Sequence, residues 1–393
     1  MFSTKVEEIT KELSAIRNAE AESEALQLVQ RKGSHDPAIA ALLWAKDFGA
    51  GGTLDGFILD ISQSLKHDVY KGFVYAVVPL YATSICMEEC TYCNYRAGNS
   101  ARLNLERVRL SDEQLVSEAR FLIEEKGLRS LELVYATDPG VRADSMCRHV
   151  ELMQKVLNEH GGGSVGINAE ALEVSSYRCL VNAGLSYAVL WQETYDRSRY
   201  HEVHIGKTKK TNFEYRVDAY ERMIEGGIRK VGMGILSGLS DWRTDWAMLM
   251  HHEHYLRETY AVDAAVLGIP RLKDAEGAVF RTSPFIPTRQ EFLATVALHN
   301  VFSPETLPFV NTREDWKLCV ELSRGGGCLF TFNCSTIPGG YLLGHRGYQF
   351  PTHSYDAVSY VEALQQQGMQ TVFDWSLTDK SFPYSSRPSY SLT

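Results

Sequence analysis

No apolar run in this chain is long enough to cross a membrane. The longest, Phe73 to Ile85, is short, rich in Val and Tyr, and broken by Pro79. A spanning helix needs about 20 apolar residues, so this run reads as a buried strand. Excess basic charge is also missing. The net charge is −9 and the pI about 5.8, which argues against a nucleic-acid partner held by bulk electrostatics. The local run Lys207-Thr208-Lys209-Lys210 reads as a solvated loop. Met1 to Ala15 is charged and has no apolar signal-peptide region. Cysteine is sparse, eight in 393 residues. Cys147, Cys179, Cys319, Cys328 and Cys334 are irregularly spaced, so no disulfide framework is expected and a reducing, cytoplasmic compartment is. A second CxxC or CxxH pair is absent, which leaves Cys90 and Cys93 short of an ordinary zinc site. There is no solenoid repeat.

What is there is concentrated in one run, Cys86-Met87-Glu88-Glu89-Cys90-Thr91-Tyr92-Cys93. Its CxxxCxxC spacing supplies three thiolates. They can hold a four-iron cluster by three of its irons and leave the fourth open. Sites built for electron transfer close the cage with four cysteines, so an open iron implies chemistry there. The run, with an aromatic before its last cysteine, resembles the signature of the radical S-adenosylmethionine (SAM) superfamily. That resemblance implies one [4Fe-4S] cluster on Cys86, Cys90 and Cys93. It implies SAM chelating the open iron through its methionyl amine and carboxylate, and reductive cleavage to a 5'-deoxyadenosyl radical. An external one-electron reductant, of flavodoxin or ferredoxin type, is the expected partner. Glu88 and Glu89 read as solvated.

Around this run the chain is organised as an α/β protein. Residues 1–72 read as an N-terminal helical extension, with Val6–Ile16 and Pro37–Phe48 at helical spacing. Asp36 is the expected N-cap of the second, ahead of Pro37 at the first helical position. Strands are expected at Phe73–Tyr81, Ser130–Tyr135, Val165–Ala169, Ala188–Trp191, Lys230–Ile235, Asp263–Ile269, Leu307–Asn311 and Cys328–Phe332. Helical stretches separate them, one of them capped by Ser111. Eight strands alternating with helices imply a (β/α)8 TIM-type barrel over residues 73–345. Its reactive groups belong at the C-terminal strand ends, and Cys86 falls just after the first strand. Residues 346–393 form a Tyr-, Ser- and Pro-rich tail expected to pack on or near the barrel. This tail and the N-terminal helices are the expected lid. The run His251-His252-Glu253-His254 is not HExxH and reads as a solvated helix start.

The superfamily resemblance implies a SAM site at those strand ends. Tyr92 is placed to pack on adenine. Thr137 and Asp138, after the second strand, are expected at the SAM ammonium. Glu193, ending the fourth strand, and Glu170, ending the third, are candidates for the ribose hydroxyls, with Arg216 orienting them. The glycines of Gly232-Met233-Gly234 expose backbone that adenine can touch.

Seven further runs occur in order: Gln192-Glu193-Thr194-Tyr195, Tyr200-His201, Phe213-Glu214-Tyr215-Arg216, Gly238-Leu239-Ser240-Asp241, Pro270-Arg271-Leu272, Thr312-Arg313-Glu314 and Pro338-Gly339-Gly340-Tyr341. Together they resemble the aromatic amino-acid lyase branch of radical SAM enzymes over roughly residues 73 to 345. The resemblance implies that Arg313 holds the substrate carboxylate, a task suited to its bidentate fork, and that Tyr81 lies near the substrate amine. The family's serine is replaced by Cys334, so Ser335, Thr331 and Asn333 are the expected neighbouring donors. Cys93-Asn94-Tyr95-Arg96 and Tyr135–Pro139 are similar to tryptophan-cleaving members. That implies conversion of L-tryptophan to 3-methyl-2-indolic acid, with L-tyrosine cleavage to dehydroglycine and p-cresol as the alternative. A non-catalytic iron–sulfur carrier is the alternative of another class, and it would need no SAM pocket.

Overall fold

The structure, a computed structural model, describes residues 1–16, 22–30, 35–103, 106–355 and 357–375. Eight parallel strands form its core. The first runs Phe73–Ala76 and, past a break at Val77, Val78–Thr83. Then come Ser130–Tyr135, Ser164–Asn168, Tyr187–Val189, Val231–Gly234, Ala264–Gly268, Leu307–Val310 and Leu329–Phe330. All eight overlap the expected segments. Each pairs with its sequence neighbours. Tyr75 and Ala76 pair with Leu329 and Phe330 of the last strand, so the ladder returns to its start as a curled TIM-type sheet. Val74, Leu131, Val165, Ala188, Val231 and Leu267 are fully buried. Strands covered on both faces read as continuous apolar runs for this reason.

The helices between the strands begin where side chains can satisfy their free N–H groups. Ser111 and Gln114 form a reciprocal capping box at Asp112–Glu124, and Thr288 and Glu291 do the same at Arg289–Phe302. Asp36 caps as expected, its carboxylate accepting from Ala38 N–H at 3.0 Å, but the element it starts is the 3-10 helix Pro37–Trp44.

Three expectations fail here. The N-terminal helices do not close the barrel mouth; they pack outside it. Phe2 stacks on His252 with ring centroids 3.8 Å apart, and its amide donates to Glu221 at 2.6 Å. Lys66 donates to the carbonyls of Pro304 and Thr306, just ahead of the seventh strand. The run His251–His254 lies within the helix Trp242–Tyr260, where His252 and Glu253 are buried. Its solvated reading misses that Glu253 has a buried partner, His299, at 2.7 Å. Finally, Cys147 and Cys179 form a disulfide between the helices Ala143–Asn158 and Val174–Asn182, which their irregular spacing does not announce.

The tail divides. Gln370–Val372 adds to the N-terminal half of the first strand, and residues 348–350 cross the mouth instead. Residues 376–393 lie outside the described residues. No helix among the described residues is long and apolar enough to cross a membrane.

Candidate active site

A cavity of about 180 Å³ opens at the C-terminal ends of the strands, and Cys86, Cys90 and Cys93 all face it. Their loop is clamped on several sides. Glu89–Cys90 pairs antiparallel with His204–Ile205. Met87 N–H donates to the Thr137 carbonyl at 2.9 Å, and Thr91 N–H to Val203 at 2.9 Å. Tyr92 O–H donates to His204 Nε2 at 2.8 Å. That direction follows because His204 Nδ1 lies 2.9 Å from the Tyr200 carbonyl, which only accepts. The proton therefore sits on Nδ1, and burial lowers the His204 pKa and keeps the ring neutral. Tyr92 is thus a fixed aromatic wall beside the cysteines.

The donor set fits an iron–sulfur cluster. Burial pushes the Cys86 thiol up to about 11 and raises Cys90 and Cys93 as well, a penalty that a bound metal cation removes. Among the described residues no three His, Cys, Asp or Glu side chains converge as a single-ion cage. Thiolates that each address a different iron need no such convergence. Cys93 sulfur accepts from Tyr95 N–H at 3.3 Å and from Gln349 Nε2 at 3.7 Å. Glu88, expected in solvent, is buried on the cavity wall and accepts from Thr208. Glu89 is half-buried and accepts from Arg96 and Gly98 N–H.

The acids of the third and fourth strands meet as expected. Arg216 is buried, 2.5 Å from Glu170 and 3.8 Å from Glu193, and donates twice to the Trp191 carbonyl. Burial acts to raise the Glu170 carboxyl, but Arg216 and Lys210 outweigh it and hold it below the usual carboxylate range. Glu193 has φ +73°, a left-handed conformation that is costly for a non-glycine residue and aims its carboxylate inward. Lys210, expected in a solvated loop, lies 3.3 Å from Glu193 inside the cavity. A buried acid recruits it out of the charge run. Thr137 lines the cavity. Asp138 does not: its carboxylate accepts from Arg109 Nε and Nη2, the Thr83 hydroxyl and Gly140 N–H. Gly234 serves packing rather than ligand contact, since a Cβ there would lie 2.7 Å from the Trp191 ring.

On the same cavity wall Arg313 is half-buried, with its guanidinium 3.4 Å over the Phe350 ring. Its neighbours in sequence are engaged elsewhere, Glu314 with Arg271 and Lys273 and Asp315 with Arg289. Among the described residues nothing anionic pairs with it. Tyr81 O–H donates to Gln349 Oε1 at 2.8 Å, so its oxygen lone pairs remain free to accept. Thr331 Oγ1 is buried on the wall without a partner. Asn333 and Ser335 are turned away. The first accepts from Ser354 and Tyr355, and the second donates to the Ile337 carbonyl. Cys334 itself faces the cavity. Sequence reasoning missed Lys210, Glu132, Gln349 and Phe350, all on the wall.

The chain that brings together an open-ended cysteine cradle, a paired-acid pocket and an arginine without an ion pair is similar in sequence and fold to known proteins. No family model matches the chain. It is 29% identical over 322 residues to 2-iminoacetate synthase of Escherichia coli, covering 80% of this chain and 81% of that one. It is 26% identical over 170 residues to 3-methylornithine synthase of Methanosarcina acetivorans, covering 43% and 47%. Its fold matches HydG, the [FeFe]-hydrogenase maturase from Carboxydothermus hydrogenoformans, with TM-score 0.82 and 28% identity over 96% of this chain and 86% of that one. The protein is a radical SAM enzyme, a carbon–carbon lyase that uses an iron–sulfur cluster and SAM. Within that class its sequence and fold are similar to those of the aromatic amino-acid lyases.

Proposed function

We propose that this enzyme cleaves a carbon–carbon bond of a free aromatic amino acid, with L-tyrosine as substrate and dehydroglycine (2-iminoacetate) and p-cresol as products. The observation that carries the reading is Arg313, a half-buried guanidinium on the wall of the cavity that the cysteines face, with no ion-pair partner among the described residues. A desolvated cation left unpaired is costly, and an α-carboxylate offers the matching two-oxygen acceptor. Similarity to 2-iminoacetate synthase favours tyrosine over the tryptophan expected from the loop sequences.

In this reading Cys86, Cys90 and Cys93 hold one [4Fe-4S] cluster, and Glu170 and Glu193 accept the ribose hydroxyls of SAM. When bound, the cluster and SAM supply a 5'-deoxyadenosyl radical for hydrogen abstraction at the substrate amino group. The chain's own work is positioning. Arg313 fixes the carboxylate. Tyr81, its proton committed to Gln349, presents lone pairs to the substrate ammonium. Phe350 covers the guanidinium and keeps water from it.

Two measurements test this. Anaerobically reconstituted enzyme given SAM, a chemical reductant and tyrosine is expected to release p-cresol, read by mass spectrometry. 3-Methyl-2-indolic acid from tryptophan would move the substrate to that branch with the same site, and 5'-deoxyadenosine without turnover of either amino acid would sink the aromatic-lyase reading. Separately, Glu193→Gln is expected to weaken SAM binding about 10–100-fold, the worth of a hydrogen bond to a charged group. Unchanged affinity by equilibrium dialysis would remove Glu193 from the ribose site.

A further inference from the structure

Glu132 sits in the middle of the second strand, in register with Pro79 and Gly166 of its neighbours. It is 1% exposed to solvent, yet its side chain lines the same cavity as Arg313. In barrels of this kind the lumen positions are normally filled by branched aliphatic side chains. A carboxyl group there needs a reason, because burying one without good partners is costly. Its protein partners are weak. Asn168 Nδ2 donates to one oxygen at 3.3 Å and the Tyr187 hydroxyl to the other at 3.4 Å. Among the described residues no lysine, arginine or histidine pairs with it. Both oxygens retain accepting capacity. Cys334 lies close enough to feel the charges of both Glu132 and Arg313. The walls nearby are apolar, from Pro79, Val134, Phe309 and Trp191.

The geometry points to Glu132 as the residue that selects the substrate's ring: it accepts a hydrogen bond from the donor at the far end of the amino acid, the phenol O–H of tyrosine or the indole N–H of tryptophan. This rests on the lyase reading above and deepens it. Arg313 takes the carboxylate, the apolar walls take the ring, and Glu132 takes the ring's one polar hydrogen. Phenylalanine fills the same space but leaves the carboxyl group unpaired, and sites built to pair a substrate hydroxyl reject the analogue that lacks it. A side-chain ammonium would satisfy the same carboxylate electrostatically, but it would leave the apolar walls without a ring to pack.

The test is isothermal titration calorimetry on reconstituted, SAM-loaded protein with four aromatic ligands and lysine. The aromatic ligands are tyrosine, phenylalanine, tryptophan and 3-benzothienylalanine, in which sulfur replaces the indole N–H at nearly constant shape. The wild type is expected to prefer the donor-bearing member of each pair at least tenfold. In Glu132→Leu that preference is expected to fall to about two- to threefold, with phenylalanine binding unchanged or tighter. Glu132→Gln keeps the volume and one accepting oxygen, and is expected to give an intermediate ratio should the leucine variant fail to fold. Equal binding of each pair by the wild type, or a preference that survives in Glu132→Leu, overturns the role of Glu132 and leaves the lyase reading standing. Binding of lysine with no binding of any aromatic ligand overturns both.

Discussion

Replacing Cys90 with serine is expected to yield a folded protein that carries no iron–sulfur chromophore and forms neither 5'-deoxyadenosine nor product. The change is nearly isosteric, and Cys90 sits in a loop held by neighbouring backbone bonds rather than by its own sulfur. Thr91 donates to Val203 and accepts from Val279 and Phe280, and Ala97 N–H donates to Glu88. Stability of the metal-free protein is therefore expected to shift by less than about 1 kcal/mol. The chemistry is a different matter. A thiol in this buried position is already raised above its ordinary pKa, and only a metal makes the thiolate the favoured form. A serine hydroxyl titrates far higher and does not replace it. Turnover is expected to fall by at least about 10³-fold, since positioning cannot substitute for the group that supplies the radical. The control is Cys319→Ala. Cys319 is buried behind the seventh strand, where its thiol contacts Tyr355 and the Asn311 carbonyl. That variant is expected to keep the chromophore and lose only packing stability. Visible absorption and iron content decide the case. A Cys90→Ser protein that bound iron and cleaved SAM like the wild type would remove this residue from the cluster.

The cysteine run and the eight strands were legible because both are local patterns. Thiolate spacing survives in any fold, and apolar periodicity reports burial directly. What escaped depends on partners distant in sequence. Lys210 belongs to a charge run whose other members are exposed, and only the approach of Glu193 draws it inside. Asp138 stands beside Thr137, but Arg109, from the loop before the helix Asp112–Glu124, takes its carboxylate. Gln349 reaches back to Tyr81 and Cys93 across more than two hundred residues, a contact no spacing rule encodes. The exchange of Cys334 for Ser335 is subtler. The strand ends at Phe330, and the chain turns through Asn333 at φ +45° before reaching them. Cys334 faces the cavity, while the Ser335 hydroxyl is taken by the Ile337 carbonyl, a turn that strand periodicity does not predict.

Arg313→Met is expected to lose substrate binding while leaving the apo protein as stable as before, or more so. The two effects have one cause. In the free enzyme the guanidinium is desolvated, and burial lowers its pKa. Its nearest compensation is the Phe350 ring at 3.4 Å; Glu193 and Glu314 act on it only from a distance, and among the described residues no carboxylate forms an ion pair with it. Exchanging such a cation for an apolar side chain of similar length removes a desolvation cost and keeps the packing. With substrate bound the sign reverses, because the α-carboxylate then has no counter-charge. Truncating one partner of a buried charge pair costs about 3–5 kcal/mol, so kcat/KM is expected to fall about 10²–10⁴-fold. Arg313→Lys keeps the charge but not the fork, and is expected to recover only part of that loss. SAM binding is expected to change little in both variants, since no ion pair joins Arg313 to Glu170 or Glu193, which pair with Arg216 instead. Thermal melts of the apo protein and amino-acid titrations of the SAM-loaded protein separate the outcomes. A structural arginine would show lower melting with unchanged amino-acid affinity, and that pattern would falsify its assignment as the carboxylate site. A higher melting temperature together with lost amino-acid affinity is the signature of a residue kept at the expense of stability for the ligand it awaits.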